Sequence, residues 1–394
     1  MSKIIVHIDL NAFFVRCEEI KNPELINKAV AIGHEGRSGI VSTCSYEARK
    51  YGVHSAMPMF QATKACPQLI ILPSDFHFYR YKSKEFISFV KSFTTLVEQA
   101  SVDECFADFT EVLKGKEPVS FFRKFQKDLY EKTGLKCSIG VAPTKFLAKM
   151  GSDYQKPEGL TIIRRRDIPK ILYPLPVKDV YGIGKRTLPK LYELGIKTIG
   201  DLVDALNSDN KELLEIFGKF YETIKEWLNG YGSDTITTED WDPKSIGNSE
   251  TLPFDTNDSG IILSYLENLC EEVSERAIEE NKIGSTIQIV IKDTSFQSFN
   301  KSITFQTPTN NAKTIYSKAA ALYEKNFADK TIRLIGVTLQ NLINPQDLNV
   351  QMTLFDYGEH EKESQTKLLI NDLNRRLSKP MLKRASEVKK DGNK

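Results

Sequence analysis

The spacing of apolar and polar residues divides the first part of the chain into alternating strand-like and helix-like segments. Residues 4–8 form an apolar run typical of a buried strand, and residues 135–141 form another. Apolar positions at helical spacing lie in residues 12–20, 76–99 and 118–133. With a hairpin near residue 103, this order is that of a ferredoxin-like sheet. Residues 29–71, where short runs are broken by Gly, Ser and Pro, predict a small inserted α/β lobe.

The pattern changes twice further along the chain. Residues 168–231 carry short helical patterns interrupted by glycine, and residues 232–243 are polar and typical of a linker. Strand candidates separated by helical patterns return at residues 287–291, 302–305 and 332–337. Past Asn344 the chain becomes polar. The sequence therefore predicts an α+β multidomain protein.

Composition narrows the class of protein. The 394 residues exceed what one hydrophobic core usually supports, which favours several domains. No apolar run approaches the length of a membrane span, so we expect no membrane association and a cytoplasmic location. The six cysteines show no Cys-x-x-Cys pair, which argues against a disulfide framework or structural zinc. The net charge of +2 does not by itself indicate a polyanionic partner.

Three carboxylates are the strongest candidates for chemistry. Asp9 ends the first strand, and Asp103 and Glu104 lie where the predicted sheet would return beside it. Neighbours on a regular strand point to opposite faces, so Asp103 and Glu104 can share a site only at a bend. With the Leu10 carbonyl they could hold two Mg²⁺ ions, Asp9 and Asp103 bridging and Glu104 outermost, for in-line displacement at phosphorus. An ordinary surface Asp-Glu pair stays open as the alternative.

Glycines between two short helical patterns predict a contact with a nucleic-acid backbone. Gly182 and Gly184 would let backbone N–H groups approach a phosphate, and the basic Lys185 and Arg186 follow, as in a helix-hairpin-helix. A Walker A loop is disfavoured because Asp179 stands where glycine is needed and Arg186 where Ser or Thr is needed. A plain tight turn between helices stays open.

Several motifs occurring in order resemble those of the Y-family translesion DNA polymerases of the bacterial type. They are residues 8–14, 42–53, 101–104 and 156–159, and the resemblance runs from residue 3 to about residue 355. It implies a right-hand fold with a ferredoxin-like palm, small fingers, a helical thumb and an α+β little finger. The implied division is palm 1–17 and 75–164, fingers 18–74, thumb 165–231, linker 232–243, little finger 244–343 and tail 344–394.

The resemblance assigns the phosphates of an incoming dNTP to a set of polar residues. It implies that Tyr46 and Arg49 lie on the triphosphate, as a phenol donor and a guanidinium that grips phosphate oxygens. Lys149 and Lys156 would add positive charge, and Thr43 a hydroxyl. Without the other motifs, residues 46–49 are better explained as a helix start with surface charge.

The resemblance also implies residues around the sugar and the base. Phe14, beside Phe13, matches the steric gate that excludes a 2′-hydroxyl, although a Phe pair alone usually belongs to a core. Ser42 and Ala56 match small residues over the nascent base pair, leaving room for damaged bases. Asn11 departs from the family pattern, since many relatives have an acid there. It lies outside the proposed metal ligands, so we expect no effect on chemistry.

Two further binding surfaces follow from the resemblance. In the little finger, strands around Lys292, Lys301 and Arg333 would track the backbone of primer-template DNA, giving salt-sensitive binding that tolerates any sequence. In the tail, residues 351–355 resemble the peptide that docks on the replication sliding clamp, with Gln351, Leu354 and Phe355 as its anchors.

Together these features predict a monomeric, low-fidelity DNA polymerase for translesion synthesis and DNA repair. The primer 3′-hydroxyl would attack the α-phosphate of a dNTP under two Mg²⁺ ions, and no segment is left over for proofreading. A metal-dependent DNA nuclease is one alternative, in which Tyr46, Arg49 and Lys156 would have no role. A clamp-binding repair adaptor without catalysis is another.

Overall fold

The structure is a computed structural model that describes residues 3–239 and 242–347. The described residues form two compact units, residues 3–239 and residues 242–347. Among the described residues, no helix combines the length and the apolar character needed to cross a membrane.

The first unit contains strands and helices in alternation, with helices alone after residue 165. Its strands in the described residues are β1 (Ile5–Leu10), β2 (Val30–Gly33), β3 (Val41–Cys44), β4 (Ile70–Leu72), β5 (Val97–Gln99), β6 (Glu104–Asp108), β7 (Cys137–Ala142) and β8 (Leu160–Ile162). Its α-helices are α1 (Phe13–Lys21), α2 (Tyr46–Arg49), α3 (Met59–Ala65), α4 (Phe76–Lys91), α5 (Pro118–Thr133), α6 (Lys145–Tyr154), α7 (Ile168–Ile171), α8 (Leu188–Glu193), α9 (Ile199–Asn207), α10 (Lys211–Phe217) and α11 (Tyr221–Leu228).

The main sheet has the order β5-β6-β1-β7-β8. β1 pairs antiparallel with β6 and with β7, which is the predicted ferredoxin-like arrangement. Two features differ from the sequence prediction. The helix expected over residues 76–99 ends at Lys91, and β5 follows it. β8 adds a parallel strand beside β7, and its three residues are too few to show a periodicity.

The two faces of the main sheet pack against different helices. Along β1, Val6, Ile8 and Leu10 belong to a core shared with α1, α4 and α5, whereas Ile5 belongs to a second core that includes α6. The first core is rich in aromatic rings, including Phe86, Phe89, Phe109, Phe122 and Phe125. Because side chains alternate along a strand, His7 and Asp9 lie on the α6 face.

Helix α5, on the aromatic face, begins and ends as its sequence predicts. Glu117 caps the first turn by accepting the N–H groups of Val119 and Ser120, and Pro118 occupies the first helical position. Gly134 ends the helix with a φ of +73°, a left-handed conformation that glycine adopts without strain. The helix bounds are those expected from the apolar spacing.

Strands β2, β3 and β4 form a separate three-stranded sheet with α2 and α3. Its order is β3-β2-β4, with β2 antiparallel to β3 and parallel to β4. This lobe buries its own small core of mainly short side chains, Ala29, Ala31, Val41, Cys44, Ala48, Val53, Met59, Ala62 and Cys66. The predicted α/β lobe is therefore present.

The second unit is an antiparallel sheet with two helices. Its described elements are β9 (Ser245–Thr256), α12 (Ser259–Glu279), β10 (Ile283–Asp293), β11 (Ser298–Thr309), α13 (Ala312–Phe327) and β12 (Ile332–Ile343), with strand order β11-β10-β12-β9. Residues of α12 and α13 share a core with Ile287, Ile289 and Ile291 of β10. β9 was not predicted, because most of its side chains are exposed and it lacks a clear apolar alternation.

Substitution of Gly140 tests how closely β7 packs against α6. A Cβ there would overlap the Ala148 carbonyl oxygen and the Ser152 backbone nitrogen, whereas a Cβ at Gly184 would meet nothing within 4 Å. We expect Gly140→Ala to destabilise the protein by about 3 kcal/mol or more because backbone atoms cannot give way. Gly184→Ala should stay within about 0.5 kcal/mol. Chemical denaturation measures both, and equal midpoints would contradict the close packing.

Candidate active site

Asp9 and Glu104 face each other across two neighbouring strands. β1 and β6 pair so that Asp9 lies opposite Glu104 and His7 opposite Phe106. Residues paired in this way project from the same face of a sheet, so both carboxylates lie on the α6 face. Asp103 lies in a bend just before β6, and its carbonyl accepts the N–H of Leu10 at 2.9 Å. The bend expected for this adjacent acidic pair is therefore present.

A cavity of about 170 Å³ lies beside these carboxylates. It brings the three predicted metal-binding acids and the Leu10 backbone together with residues of the small lobe and of the loop after α6. The lining residues are Asp9, Leu10, Ala12, Phe13, Thr43, Tyr46, Arg49, Asp103, Glu104 and Lys156.

The small lobe supplies its residues from the end of β3 and from α2. Ser45 caps α2 by accepting the N–H of Ala48 at 3.1 Å, and its hydroxyl also donates to the Lys28 carbonyl. This buried cap fixes where the helix starts. The Arg49 guanidinium lies 4.6 Å from the Tyr46 ring centroid, a cation–π arrangement. Burial raises the pKa of Tyr46, so its phenol stays protonated and can donate a hydrogen bond.

Two ammonium groups contact the carboxylates. The Lys149 Nζ, on α6, lies 2.6 Å from Glu104 Oε1 and 3.2 Å from Asp9 Oδ2. The Lys156 Nζ lies 2.7 Å from Asp9 Oδ2 and 2.8 Å from Asp153 Oδ1. Only Lys156 of the two lines the cavity. The expectation that both lysines contact phosphate therefore has geometric support for Lys156, while Lys149 is buried among the carboxylates.

The three carboxyl groups differ in their electrostatic surroundings. Burial raises the pKa of Asp9 to about 7, against the opposing effect of Lys156 and Lys149. Burial also opposes ionisation of Glu104, but its neighbours His7, Asp9 and Lys149 outweigh this and lower its pKa. The pKa of Asp103 is raised by burial. Within the described ranges, Asp103 forms no ion pair.

The donor set fits a hard divalent cation. Carboxylate and carbonyl oxygens are the ligands that Mg²⁺ prefers. Among the described residues, no three His, Cys, Asp or Glu side chains are arranged so that they could hold a metal ion, and ammonium groups contact Asp9 and Glu104. Asp103 is the carboxylate that lacks such a partner, and a cation beside it would lower its raised pKa.

The two phenylalanines that follow Ala12 have different surroundings. Phe13 is buried and lines the cavity, whereas Phe14 is half-buried and is not among the lining residues. The Phe14 ring stacks on Tyr79 with centroids 4.4 Å apart and meets Phe76 edge-on at 5.9 Å. Tyr79 is itself held by donating its hydroxyl to Glu18 Oε1 at 2.8 Å. The Phe14 ring is therefore supported from one side.

The predicted base-pair residues lie together at one side of the small lobe. Ser42 is exposed on β3, next to Thr43, and Ala56 is also exposed. The N–H of Ala56 donates to the Val41 carbonyl at 2.8 Å, which brings Ala56 close to Ser42. Neither lines the cavity. Ala56 has a φ of +65°, a left-handed conformation that favours glycine.

The predicted DNA-backbone turn is exposed before α8. Gly182 has a φ of +96°, and the Gly184 carbonyl accepts the N–H groups of Thr187 and Leu188. Lys185 and Arg186 lie at this turn with exposed side chains. The geometry leaves the turn accessible, and its contact with DNA stays a prediction.

The three basic residues of the second unit do not share one face. Lys301 on β11 lies opposite the inward-facing Ile289, whereas Lys292 on β10 lies opposite Leu334. Because positions 289 and 292 of β10 point to opposite faces of the sheet, Lys292 and Lys301 do so as well. The Arg333 guanidinium lies 4.7 Å from the Phe296 ring centroid. Their contact with DNA stays a prediction. The predicted clamp-binding residues Gln351, Leu354 and Phe355 lie outside the described residues.

His7 and Ser152 belong to the site although no motif identified them. Ser152 Oγ donates to the Lys149 carbonyl at 2.9 Å and lies 2.7 Å from His7 Nδ1. His7 Nε2 is buried without a hydrogen bond, 3.6 Å from Glu104 Oε2. The alternation along β1 is the signal that could have found His7, which lies two residues before Asp9.

Profiles of one protein family match most of the chain. The impB/mucB/samB family matches residues 8–153, its C-terminal domain matches residues 243–354, and the HHH motif of the same family matches residues 165–196. A Y-family DNA polymerase chimera superimposes with a TM-score of 0.76 at 29% identity, covering 86% of this chain and 99% of that one.

Curated relatives match over nearly all of their length. DNA polymerase IV of Bacillus velezensis is 35% identical and DNA polymerase IV 1 of Bacillus subtilis is 36% identical, each covering 100% of this chain and 95% of the relative. DNA polymerase IV of Clostridium kluyveri is 37% identical and covers 100% of both. The chain belongs to the Y-family DNA polymerases.

Family membership settles two of the predictions made from sequence. The α+β right-hand polymerase fold is confirmed, and so is a DNA-directed DNA polymerase activity. A nuclease or a non-catalytic adaptor is correspondingly disfavoured. The insertion ternary complex of Dbh DNA polymerase also superimposes, with a TM-score of 0.59 at 28% identity over 86% of this chain and 99% of that one.

Proposed function

We propose that this translesion polymerase joins a dNTP to a primer 3′-hydroxyl by two-metal nucleotidyl transfer, at low fidelity, without proofreading and as a monomer. The observation that carries the proposal is the cavity in which the carboxylates of β1 and β6 meet a phenol, a guanidinium and an ammonium group. The insertion ternary complex of a similar polymerase supports binding of DNA and nucleotide.

The metal ligands are the three acids and one backbone group. Asp9, Asp103, Glu104 and the Leu10 carbonyl would hold two Mg²⁺ ions. When bound, these ions supply a lowered pKa for the attacking hydroxyl and charge stabilisation for the leaving pyrophosphate. Lys149 holds Asp9 and Glu104 close together by offsetting the repulsion between two carboxylates.

The nucleotide is bound by the small lobe and by the loop after α6. Arg49 offers a planar fork to phosphate oxygens, while the protonated Tyr46 phenol and the Thr43 hydroxyl donate single hydrogen bonds. Lys156, which lines the same cavity, adds a point charge. Phe14 excludes the 2′-hydroxyl of a ribonucleotide, and the small Ser42 and Ala56 leave space above the base pair.

The domain roles follow from the same assignment. The main sheet and its helices serve as the palm, the small lobe as the fingers and α7–α11 as the thumb. The second unit serves as the little finger, which binds duplex DNA through basic residues such as Arg333 and one of Lys292 and Lys301, since these two lysines lie on opposite faces of the sheet. Residues 351–355 bind the sliding clamp, which raises processivity.

Substitution of the acids tests the chemistry. We expect Asp103→Ala and Glu104→Ala each to slow primer extension by about a thousandfold or more, because metal ligands act in the transition state. DNA affinity, measured by fluorescence anisotropy, should stay within about threefold. Glu111→Ala, at an exposed glutamate on the same unit, is the matched control. Near-normal extension by either variant, or shortening of the primer, would contradict the assignment.

Phe14→Ala tests the sugar gate. We expect the preference for dNTP over rNTP, measured as a ratio of kcat/KM values, to fall at least about tenfold because the ring no longer meets the 2′-hydroxyl. Phe60→Ala, at a ring that is 71% exposed on α3, should leave the ratio unchanged. An unchanged ratio in Phe14→Ala would remove the gate role.

The tail peptide is tested by a paired substitution. Leu354→Ala with Phe355→Ala should abolish stimulation by the sliding clamp and leave clamp-free extension at the wild-type rate, since the apolar anchors are lost. Leu368→Ala with Leu369→Ala removes two apolar residues from the same tail and is the control. Full stimulation of the first variant would place the clamp contact elsewhere.

A further inference from the structure

Asn11 lies buried at the end of β1, two residues after Asp9, and both ends of its amide are hydrogen-bonded. Its side-chain oxygen accepts the N–H of Glu158 at 2.8 Å, and its Nδ2 donates to Ser138 Oγ at 2.9 Å. Asn11 is 6% exposed and Ser138 is fully buried. The bond to Ser138 is buried and the bond to Glu158 is partly buried, which limits competition with water.

Ser138 extends the same link from the neighbouring strand. It lies on β7 opposite Asp9, and its Oγ also accepts the N–H of Gly159 at 3.3 Å. Two side chains of the sheet thus bind two consecutive N–H groups of the loop between α6 and β8. On the outer side of this loop, Arg123 and Gln126 donate to the Glu158 carbonyl in more exposed contacts.

The anchored loop carries a cation of the site. Lys156 lies two residues before Glu158, lines the cavity and places its Nζ 2.7 Å from Asp9 Oδ2. Asp9 is on β1 and Asn11 follows this strand directly, so Asn11 connects the strand that carries the carboxylate to the loop that carries the ammonium. A small displacement of a charged group from its binding position costs affinity.

We propose that Asn11 and Ser138 are positioning residues that hold Lys156 at the cavity and thereby set the affinity for the triphosphate of the incoming nucleotide. The inference rests on the proposed role of Lys156 in binding phosphate. It gives Asn11 an indirect part in the reaction, contrary to the expectation from sequence that this departure from the family pattern has no effect. The pair acts on nucleotide binding and not on the maximal rate.

Single-turnover primer extension separates these two effects. We expect Asn11→Ala to raise the apparent Kd for dNTP about three- to tenfold, the scale of one lost hydrogen bond, with the maximal rate within about twofold. Ser138→Ala should act in the same direction. A reduced maximal rate with unchanged Kd would overturn the inference.

A double variant shows whether Asn11 acts through Lys156. If it does, Asn11→Ala combined with Lys156→Ala should bind dNTP no more weakly than Lys156→Ala alone, because there is no ammonium left to position. Additive losses would overturn the inference. An unchanged Kd in Lys156→Ala would instead remove the proposed phosphate role of Lys156. A raised Kd in Lys156→Ala together with an unchanged Kd in Asn11→Ala would remove only the positioning role of Asn11.

Two controls exclude a general structural effect. Asn11→Asp keeps an oxygen that accepts the Glu158 N–H and should keep the wild-type Kd; a rise equal to that of Asn11→Ala would overturn the assignment. Asn210→Ala removes an asparagine that accepts a backbone N–H, that of Glu212 at 2.9 Å, outside the site and should leave Kd unchanged. Melting temperatures identify any variant that does not fold.

Discussion

The pairing of β1 with β6 is the constraint on which the rest of this molecule depends. Its register places Asp9 opposite Glu104 and the Asp103 bend beside Leu10. A slip of one residue would turn Asp9 from the α6 face into the aromatic core, where an unpaired carboxylate is costly. The apolar Val6, Ile8 and Leu10 oppose such a slip because they would then leave that core. Hydrophobic packing therefore fixes the geometry of a charged site.

Elements with strong local signals could be predicted from the sequence, and those fixed by tertiary contacts could not. α5 carries its own cap, Pro118 and Gly134, so its bounds were predictable. β8 is too short and β9 too exposed to show a hydrophobic period, so both are strands only because they pair with neighbouring strands. Asp9 could be identified from the sequence because it ends an apolar run. The burial of Lys149 among them depends on how α6 packs across the sheet, which no local spacing records.

The site offsets part of its own negative charge. Two of the three carboxylates, Asp9 and Glu104, meet two ammonium groups, and Asp153 adds a further negative charge beside Lys156. Buried like charges would otherwise oppose folding, so the lysines help to keep Asp9 and Glu104 close together. The same ammonium groups compete with cations for carboxylate oxygens. Folding thus favours contact of Lys149 and Lys156 with the carboxylates, whereas binding of a cation there favours their release.

The small lobe has its own core, built from alanines, cysteines and a few larger side chains, and this core is separate from the aromatic one under the sheet. Substitutions at Ser42 or Ala56, on its exposed side, therefore need not disturb the packing that fixes the carboxylates. Selection can act on this surface, which we propose lies over the nascent base pair, while the carboxylate geometry stays constant. In evolutionary terms, the fold packs the exposed surface of the small lobe separately from the carboxylates. That surface, and with it the substrate range, can therefore diverge among relatives with little effect on the carboxylate geometry.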